Sequence, residues 1–173
     1  RGISITLFIC ASNCVNTAIK WAVQRPRPTW LLSKDDPLIH GVRNIGGAWE
    51  DDFSFPSGHT QFISGLLVLL YWEYPLPDWS LAPLLLGGVV VGLTRNYVGV
   101  HFGSDTGVGW ALGVGLACVW GAWAEPVRRI LVQDPSSSGL TVYALVTATA
   151  VAFALLAVCL AGRSASAPVG EHT

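Results

Sequence analysis

Five apolar stretches, each close to the length of a membrane-spanning helix, constrain the fold of this chain more than any other feature. About 20 residues of apolar helix cross a bilayer, and shorter stretches are tolerated when their flanks reach the interface. Hydrophobic residues make up 51% of the 173 residues and charged residues 12%, too apolar for an ordinary soluble domain. The stretches lie near residues 3–19, 60–74, 81–97, 106–124 and 140–162. They predict an all-α, polytopic membrane helical bundle with at least five transmembrane helices.

Composition also indicates how the chain is organised. We expect one membrane-embedded domain over residues 1–162, followed by a small, polar and disordered tail over residues 163–173. The chain begins with Arg1 and contains no methionine, so we expect a fragment that lacks upstream helices. Small residues four apart predict close helix packing, and the pairs are Gly88 with Gly92 and Gly109 with Gly113.

Charge and cysteine content argue against two classes of site. A net charge of −1 does not favour nucleic acid as a partner, because binding to a phosphate backbone needs an excess of Lys and Arg. The cysteines lie in apolar stretches with no neighbouring ligands to complete a metal set, so we interpret them as small hydrophobic residues. They are Cys10, Cys14, Cys118 and Cys159.

The unusual polar residues all fall on one face of the membrane if each apolar stretch crosses it once. They are Lys20, Arg25, Arg27, Ser57, Gly58, His59, Arg95, His101 and Asp105. Arg128 and Arg129 flank a stretch on the opposite face, and the positive-inside tendency assigns that face to the cytosol. The set of polar residues would then be lumenal or extracytoplasmic.

These residue types suit a phosphate group. The run Pro-Ser-Gly before an apolar stretch predicts Ser57 as a helix cap, with the amides of Gly58 and His59 free at the positive end of the helix dipole. Arginine can bind two phosphate oxygens at once, and lysine adds a compact charge. The cations able to neutralise a phosphate dianion in this way are Lys20, Arg27 and Arg95.

His101 and Asp105 stand four residues apart. On a helical turn, the carboxylate would accept a hydrogen bond from one ring nitrogen and leave the other basic, as in the orienting pair of a nucleophilic site. Spacing alone leaves open whether His59 or His101 is the nucleophile. A divalent-metal phosphatase would need clustered carboxylates, so we expect neither a metal nor another cofactor.

Three motifs resemble those of the phosphatidic acid phosphatase type 2 superfamily. The segment KWAVQRPRP has a lysine followed after six residues by Arg-Pro, PSGH begins at residue 56, and RNYVGVHFGSD carries the arginine, histidine and aspartate of the third motif. The family usually has serine before that arginine, where this chain has Thr94. The motifs cover residues 20–105 in the family's order.

The resemblance implies a metal-independent phosphatase with defined roles for each residue. His101 would attack phosphorus to form a phosphohistidine, Asp105 would orient that histidine, and His59 would protonate the leaving oxygen and then activate water. The phosphoryl oxygens would be held by Lys20, Arg27, Ser57, Gly58 and Arg95. A lipid phosphate fits a site at a membrane surface, so phosphatidate, sphingoid-base phosphate and polyprenyl phosphates are candidate substrates.

Other interpretations remain open. A sugar-phosphate phosphatase of the glucose-6-phosphatase type and a non-catalytic phosphate- or lipid-binding membrane protein would share the basic pocket, whereas the related vanadium haloperoxidases are soluble. We interpret the acidic run at residues 50–52 as a solvated loop, with repulsion of competing anions as the alternative. Five residues in loops without a matched partner are assigned no function: Arg25, Lys34, His40, Arg43 and His172.

Overall fold

The computed structural model describes residues 1–32 and 50–133, with side chains described there except for Ile3 and residues 123–133. The α-helices of these ranges are α1 Gly2–Val23, α2 Pro28–Leu32, α3 Gly58–Glu73, α4 Leu81–Val98 and α5 Gly103–Gln133. A 3-10 turn, Asp78–Ser80, leads directly into α4. No strand occurs within the described ranges, so the predicted all-α class is confirmed.

Four of the five predicted apolar stretches form helices, namely α1, α3, α4 and α5. The fifth, residues 140–162, lies outside the described residues, as do the predicted tail, Lys34, His40, Arg43 and His172. Of the described helical segments, one, Asp78–Val98, has the length and apolar composition needed to cross a membrane. The long connection after α1 contains the short helix α2 in its described part.

Helix α3 is central to the described bundle and packs against α1, α4 and α5. A buried apolar cluster joins three of these helices: Phe8 comes from α1, Val68 and Leu69 from α3, and Ala117 from α5. The ring of Phe8 also packs edge-on against Trp120, with ring centroids 6.0 Å apart. Apolar burial of this kind holds α1 and α5 against α3 and against each other.

The predicted close packing at small residues is confirmed where α5 meets α3. A Cβ atom at Gly109 would lie 2.6 Å from the carbonyl oxygen of Ser57, and one at Gly113 would overlap the carbonyl oxygen of Gln61. Only residues without a side chain allow this approach. The start of α5 is therefore held directly against the start of α3.

Two left-handed residues end helices at the polar end of the bundle. Gln24 has φ 51° after α1, where the following Arg-Pro-Arg-Pro sequence cannot continue a helix. Gly99 has φ 84° after α4, and its N–H donates to the carbonyl of Asn96. The last turns of α1 and α4 and the first turns of α3 and α5 consequently meet at this end.

Candidate active site

Backbone hydrogen bonds join the three motif segments at this end of the bundle. The N–H of Ser54 donates to the carbonyl of Arg25 at 2.8 Å, and the N–H of Ser57 donates to the carbonyl of Asp105 at 3.0 Å. The segment before α3 thus lies between the loop that follows α1 and the start of α5. The residues predicted from three separate motifs lie at one end of the bundle.

Arg27 is fully buried at the centre of this region. Its Nη1 lies 3.0 Å from the carbonyl oxygen of Val100 and 3.1 Å from Nε2 of His101. A guanidinium group can only donate hydrogen bonds, so Nε2 must accept and the proton of the neutral ring lies on Nδ1. The lone pair of Nε2 is therefore directed toward the guanidinium group of Arg27.

The side chain of Asp105 faces the other edge of the His101 ring, as the four-residue spacing predicts. The distance from Nδ1 to Oδ2 is 3.7 Å, too long for a direct hydrogen bond. Ser54 stands between them, with its Oγ 2.5 Å from Oδ2 and 3.4 Å from Nδ1. The carboxylate faces the ring as predicted, with the Ser54 hydroxyl beside the pair, and His101 itself precedes α5.

Arg25 also binds Asp105, although the sequence assigned it no partner. Its Nη1 donates to Oδ1 of Asp105 at 2.8 Å and to the hydroxyl of Ser104 at 2.7 Å. Its guanidinium carbon lies 4.2 Å from the centre of the Phe102 ring, within the range of a cation–π contact. The earlier assignment of Arg25 to a partnerless loop is therefore wrong.

Two residues of the acidic run reach into the cation cluster. Glu50 forms ion pairs with Arg27 at 2.6 Å and with Arg95. Asp52 forms ion pairs with Arg27 and Lys20. The interpretation of this run as a solvated loop is wrong for Glu50, which is largely buried, and incomplete for Asp52, which pairs with two cations while its side chain stays 60% exposed.

The start of α3 differs from the prediction in one hydrogen bond. Ser57 occupies the N-cap position and is fully buried, but its side chain makes no capping hydrogen bond. Its hydroxyl oxygen accepts from Thr60 at 3.0 Å instead. Gly58 lies against Asn16 of α1, where a Cβ atom would come within 3.3 Å of Oδ1, and His59 is exposed.

The surroundings shift the pKa values of the two histidines and the aspartate of the motifs. Burial lowers the pKa of His101, and the nearby Asp105 carboxylate opposes this shift only in part. The His59 side chain is exposed but partly desolvated, and this desolvation and then the charge of Arg95 lower its pKa. Burial alone would raise the pKa of Asp105, but the His101 ring, Ser54 and the amide of Phe102 lower it below its usual value. Neutral His101 and ionised Asp105 are favoured near neutral pH.

A metal site is not evident in the part of the chain that the structure describes. No group of three or more His, Cys, Asp and Glu side chains there is arranged to hold an ion. The carboxylates at this end instead contact cationic side chains.

Comparison with known families matches most of the chain. The sequence profile of the PAP2 superfamily matches residues 1–129, a range that includes every predicted site residue. The chain belongs to the PAP2 superfamily. The resemblance drawn from the three motifs is thereby confirmed, and the cation cluster around His101 is formed by the motif residues of a PAP2 chain.

Two curated relatives of this PAP2 chain carry phosphatase names. The chain is 28% identical over 136 residues to phosphatidylglycerophosphatase B of Bacillus subtilis, covering 74% of this chain and 60% of that protein. It is 40% identical over 62 residues to undecaprenyl-diphosphatase of Sulfolobus acidocaldarius, covering 36% of this chain and 29% of that protein. The chain thus spans less than two thirds of the length of either relative. No solved structure matches it.

Sequence reasoning missed four residues of this region, Ser54, Arg25, Glu50 and Asp52. Ser54 stands three residues before Ser57, and Arg25 stands two residues before Arg27, so both lie next to recognised motifs. The proximity of a polar residue to a motif is a weak signal, because it does not say which side chain turns inward. Contacts between residues 80 positions apart in the sequence, such as Arg25 with Asp105, are seen only in the folded structure.

Proposed function

We propose that this chain is an integral-membrane phosphatase that hydrolyses a phosphomonoester or a diphosphate of a lipid through a phosphohistidine on His101. The observation that carries the proposal is the contact between Nε2 of His101 and Nη1 of Arg27 at 3.1 Å. It directs an unprotonated ring nitrogen at the group that would hold a phosphoryl oxygen. The phosphatase names of the two PAP2 relatives support the same reaction class.

The reaction proceeds in two displacements. A phosphoryl oxygen takes the N–H donor of Arg27 and so frees the lone pair of Nε2. This lone pair forms a bond to phosphorus while the bond to the leaving oxygen breaks, and His59 donates a proton to that oxygen. Water then attacks phosphorus, His59 takes its proton, and the bond from phosphorus to Nε2 breaks to release inorganic phosphate. The phosphoryl oxygens are held by Lys20, Arg27, Arg95, Ser57 and the amide of Gly58.

The names of the relatives and an exposed apolar face of α4 support a lipid substrate. The names of the relatives specify a phosphatidylglycerophosphate and an undecaprenyl diphosphate, and each carries its phosphate on a lipid. Helix α4 presents an exposed stripe at the spacing of one helix face, suited to lipid contact. The stripe consists of Leu86, Val90, Leu93 and Tyr97. In this proposal α4 crosses the membrane together with α1, α3 and α5, and the site opens on the extracytoplasmic side.

Phosphate release from a substrate panel tests the proposal. The full chain, purified in detergent, is assayed in excess EDTA with phosphatidylglycerophosphate, undecaprenyl diphosphate, phosphatidate and glucose 6-phosphate. We expect turnover of at least one lipid substrate and inhibition by vanadate, with loss of turnover in His101→Ala. Absence of turnover on every lipid, or activity that only magnesium restores, would contradict the proposal.

A further inference from the structure

The hydroxyl of Ser54 connects His101 to Asp105. Ser54 is fully buried, and its Oγ lies 2.5 Å from Oδ2 of Asp105 and 3.4 Å from Nδ1 of His101. The two residues that the motif pairs are themselves 3.7 Å apart. The carboxylate can therefore act on the ring through this hydroxyl in addition to its direct approach.

The direction of each hydrogen bond follows from Arg27. Its donation to Nε2 leaves the ring proton on Nδ1, which can donate to the oxygen of Ser54. A hydroxyl has one proton and two lone pairs, so Ser54 accepts from the ring and donates its own proton to the carboxylate. The result is a continuous chain from His101 through Ser54 to Asp105.

The carboxylate of Asp105 is held by two further groups. Oδ2 accepts from the amide of Phe102 at 2.9 Å, and Oδ1 accepts from Arg25 at 2.8 Å. Arg25 is fixed in turn by the hydroxyl of Ser104 and by the ring of Phe102. Asp105 has no exposed surface, so these donors supply its solvation and fix its direction.

We infer that Ser54 and Arg25 are positioning residues for the His101–Asp105 pair, an inference that rests on the proposed phosphatase function. When Nε2 bonds to phosphorus, the ring becomes cationic while its proton stays on Nδ1. The charge of Asp105 stabilises that cation through the Ser54 hydroxyl, and Arg25 holds the carboxylate in place. Neither residue contacts the phosphoryl group.

A double-mutant cycle tests this inference. Ser54→Ala, Asp105→Asn and the double variant are compared for the rate of phosphoenzyme formation by rapid quench, with the best substrate of the panel. We expect Ser54→Ala to lower this rate by about 10- to 100-fold, the effect of losing a hydrogen bond to a charged group. KM and the inhibition constant for vanadate should change little, because the cations remain. In the Asp105→Asn background, Ser54→Ala should have almost no further effect.

Two controls separate positioning from packing. Ser64→Ala removes an equally buried hydroxyl that donates to the Thr60 carbonyl within α3, with a longer contact to the Trp110 carbonyl of α5 and none to Asp105, so it should leave the rate unchanged. For Arg25, which is about one third exposed and tolerates substitution more readily, Arg25→Gln should slow phosphoenzyme formation and Arg25→Lys should restore part of it. Ser104→Ala, which leaves the contact of Arg25 with Asp105 in place, should have a small effect.

The outcomes distinguish this inference from the proposed function. If the wild-type protein is active but the rate losses of Ser54→Ala and Asp105→Asn multiply in the double variant, the positioning role alone is overturned. The same holds if Arg25→Gln matches wild type. Wild-type protein that releases no phosphate from any substrate would overturn the proposed function and this inference with it.

Discussion

Glu50 and Arg27 form an ion pair at 2.6 Å in which the arginine side chain is fully buried and the carboxylate mostly so. The second oxygen of the same carboxylate contacts Arg95. Glu50 therefore uses N–H donors of both arginines that the proposed function assigns to phosphoryl oxygens. A phosphate group and this carboxylate compete for the same donors.

Replacing Glu50 with glutamine should strengthen phosphate binding. A neutral amide competes less well for the two guanidinium groups, so Glu50→Gln should lower KM and the inhibition constant for vanadate by up to about fivefold, with little change in kcat. Steady-state kinetics at fixed ionic strength give all three values. Asp51→Asn, an exposed neighbour with the same change of charge, is the control for a general electrostatic effect. Higher constants in Glu50→Gln would mean that the carboxylate organises the arginines instead of competing for them.

Gly109 and Gly107 offer a matched pair for the approach of α5 to α3. A Cβ atom at Gly109 would lie 2.6 Å from the carbonyl oxygen of Ser57, whereas one at Gly107 would meet nothing within 4 Å. Gly109→Ala should destabilise the fold by about 1–3 kcal/mol and reduce activity, because it pushes the start of α5 away from the start of α3. Gly107→Ala should be neutral or stabilising by up to about 1 kcal/mol. Thermal unfolding in detergent and phosphate release check both, and equal effects at the two positions would contradict the packing argument.

The helices and the grouping of the motifs were predictable from simple periodic features. Apolar stretches near residues 60–74 and 81–97 became α3 and α4 within a residue or two, since length and hydropathy determine such helices. Alternate crossing of the same stretches predicted that His101 and Arg27 would share one end of the bundle. Their contact at 3.1 Å agrees with that expectation.

The contacts inside the site were not predictable in the same way. Ser54 and Arg25 contact Asp105 because the loop after α1 and the segment before α3 meet the start of α5. No spacing rule in the sequence predicts where these segments meet. The prediction for Glu50 was wrong because an acidic run in a loop is usually solvated. Its ion pair with the buried Arg27 is visible only in the folded structure. Local pattern determines helices, while pairing between loops depends on tertiary packing.

The two histidines should differ in a trapping experiment. His101→Ala should abolish the covalent phosphoenzyme, because it removes the nucleophile, whereas His59→Ala should still form it with a good leaving group such as a nitrophenolate. Asp105→Asn should keep the fold and lose up to about 10⁴ in rate through the wrong ring tautomer. Rapid quench in base with labelled substrate measures the phosphohistidine. Trapped phosphoryl label on the His101→Ala protein and none on the His59→Ala protein would mean that the two roles are reversed.

The pH dependence should report the environment of His59. Its pKa lies below the usual value because of partial desolvation and the positive charge of Arg95. The other charged groups that act on it are Glu50, Lys20 and Arg27. A general acid must be protonated, so activity of the free enzyme falls as pH rises through this lowered pKa, and the alkaline limb of kcat/KM should lie at lower pH than for an unperturbed histidine.

Bound phosphate should move that limb. A phosphate dianion offsets the charge of Arg95 and favours protonated His59, so the alkaline limb of kcat should lie at higher pH than that of kcat/KM. Profiles of both parameters with a lipid substrate measure the difference. His59→Ala, assayed with a nitrophenyl phosphate, should lack this limb altogether. A limb that persists in His59→Ala, or one that moves to lower pH when substrate binds, would show that another group supplies the proton.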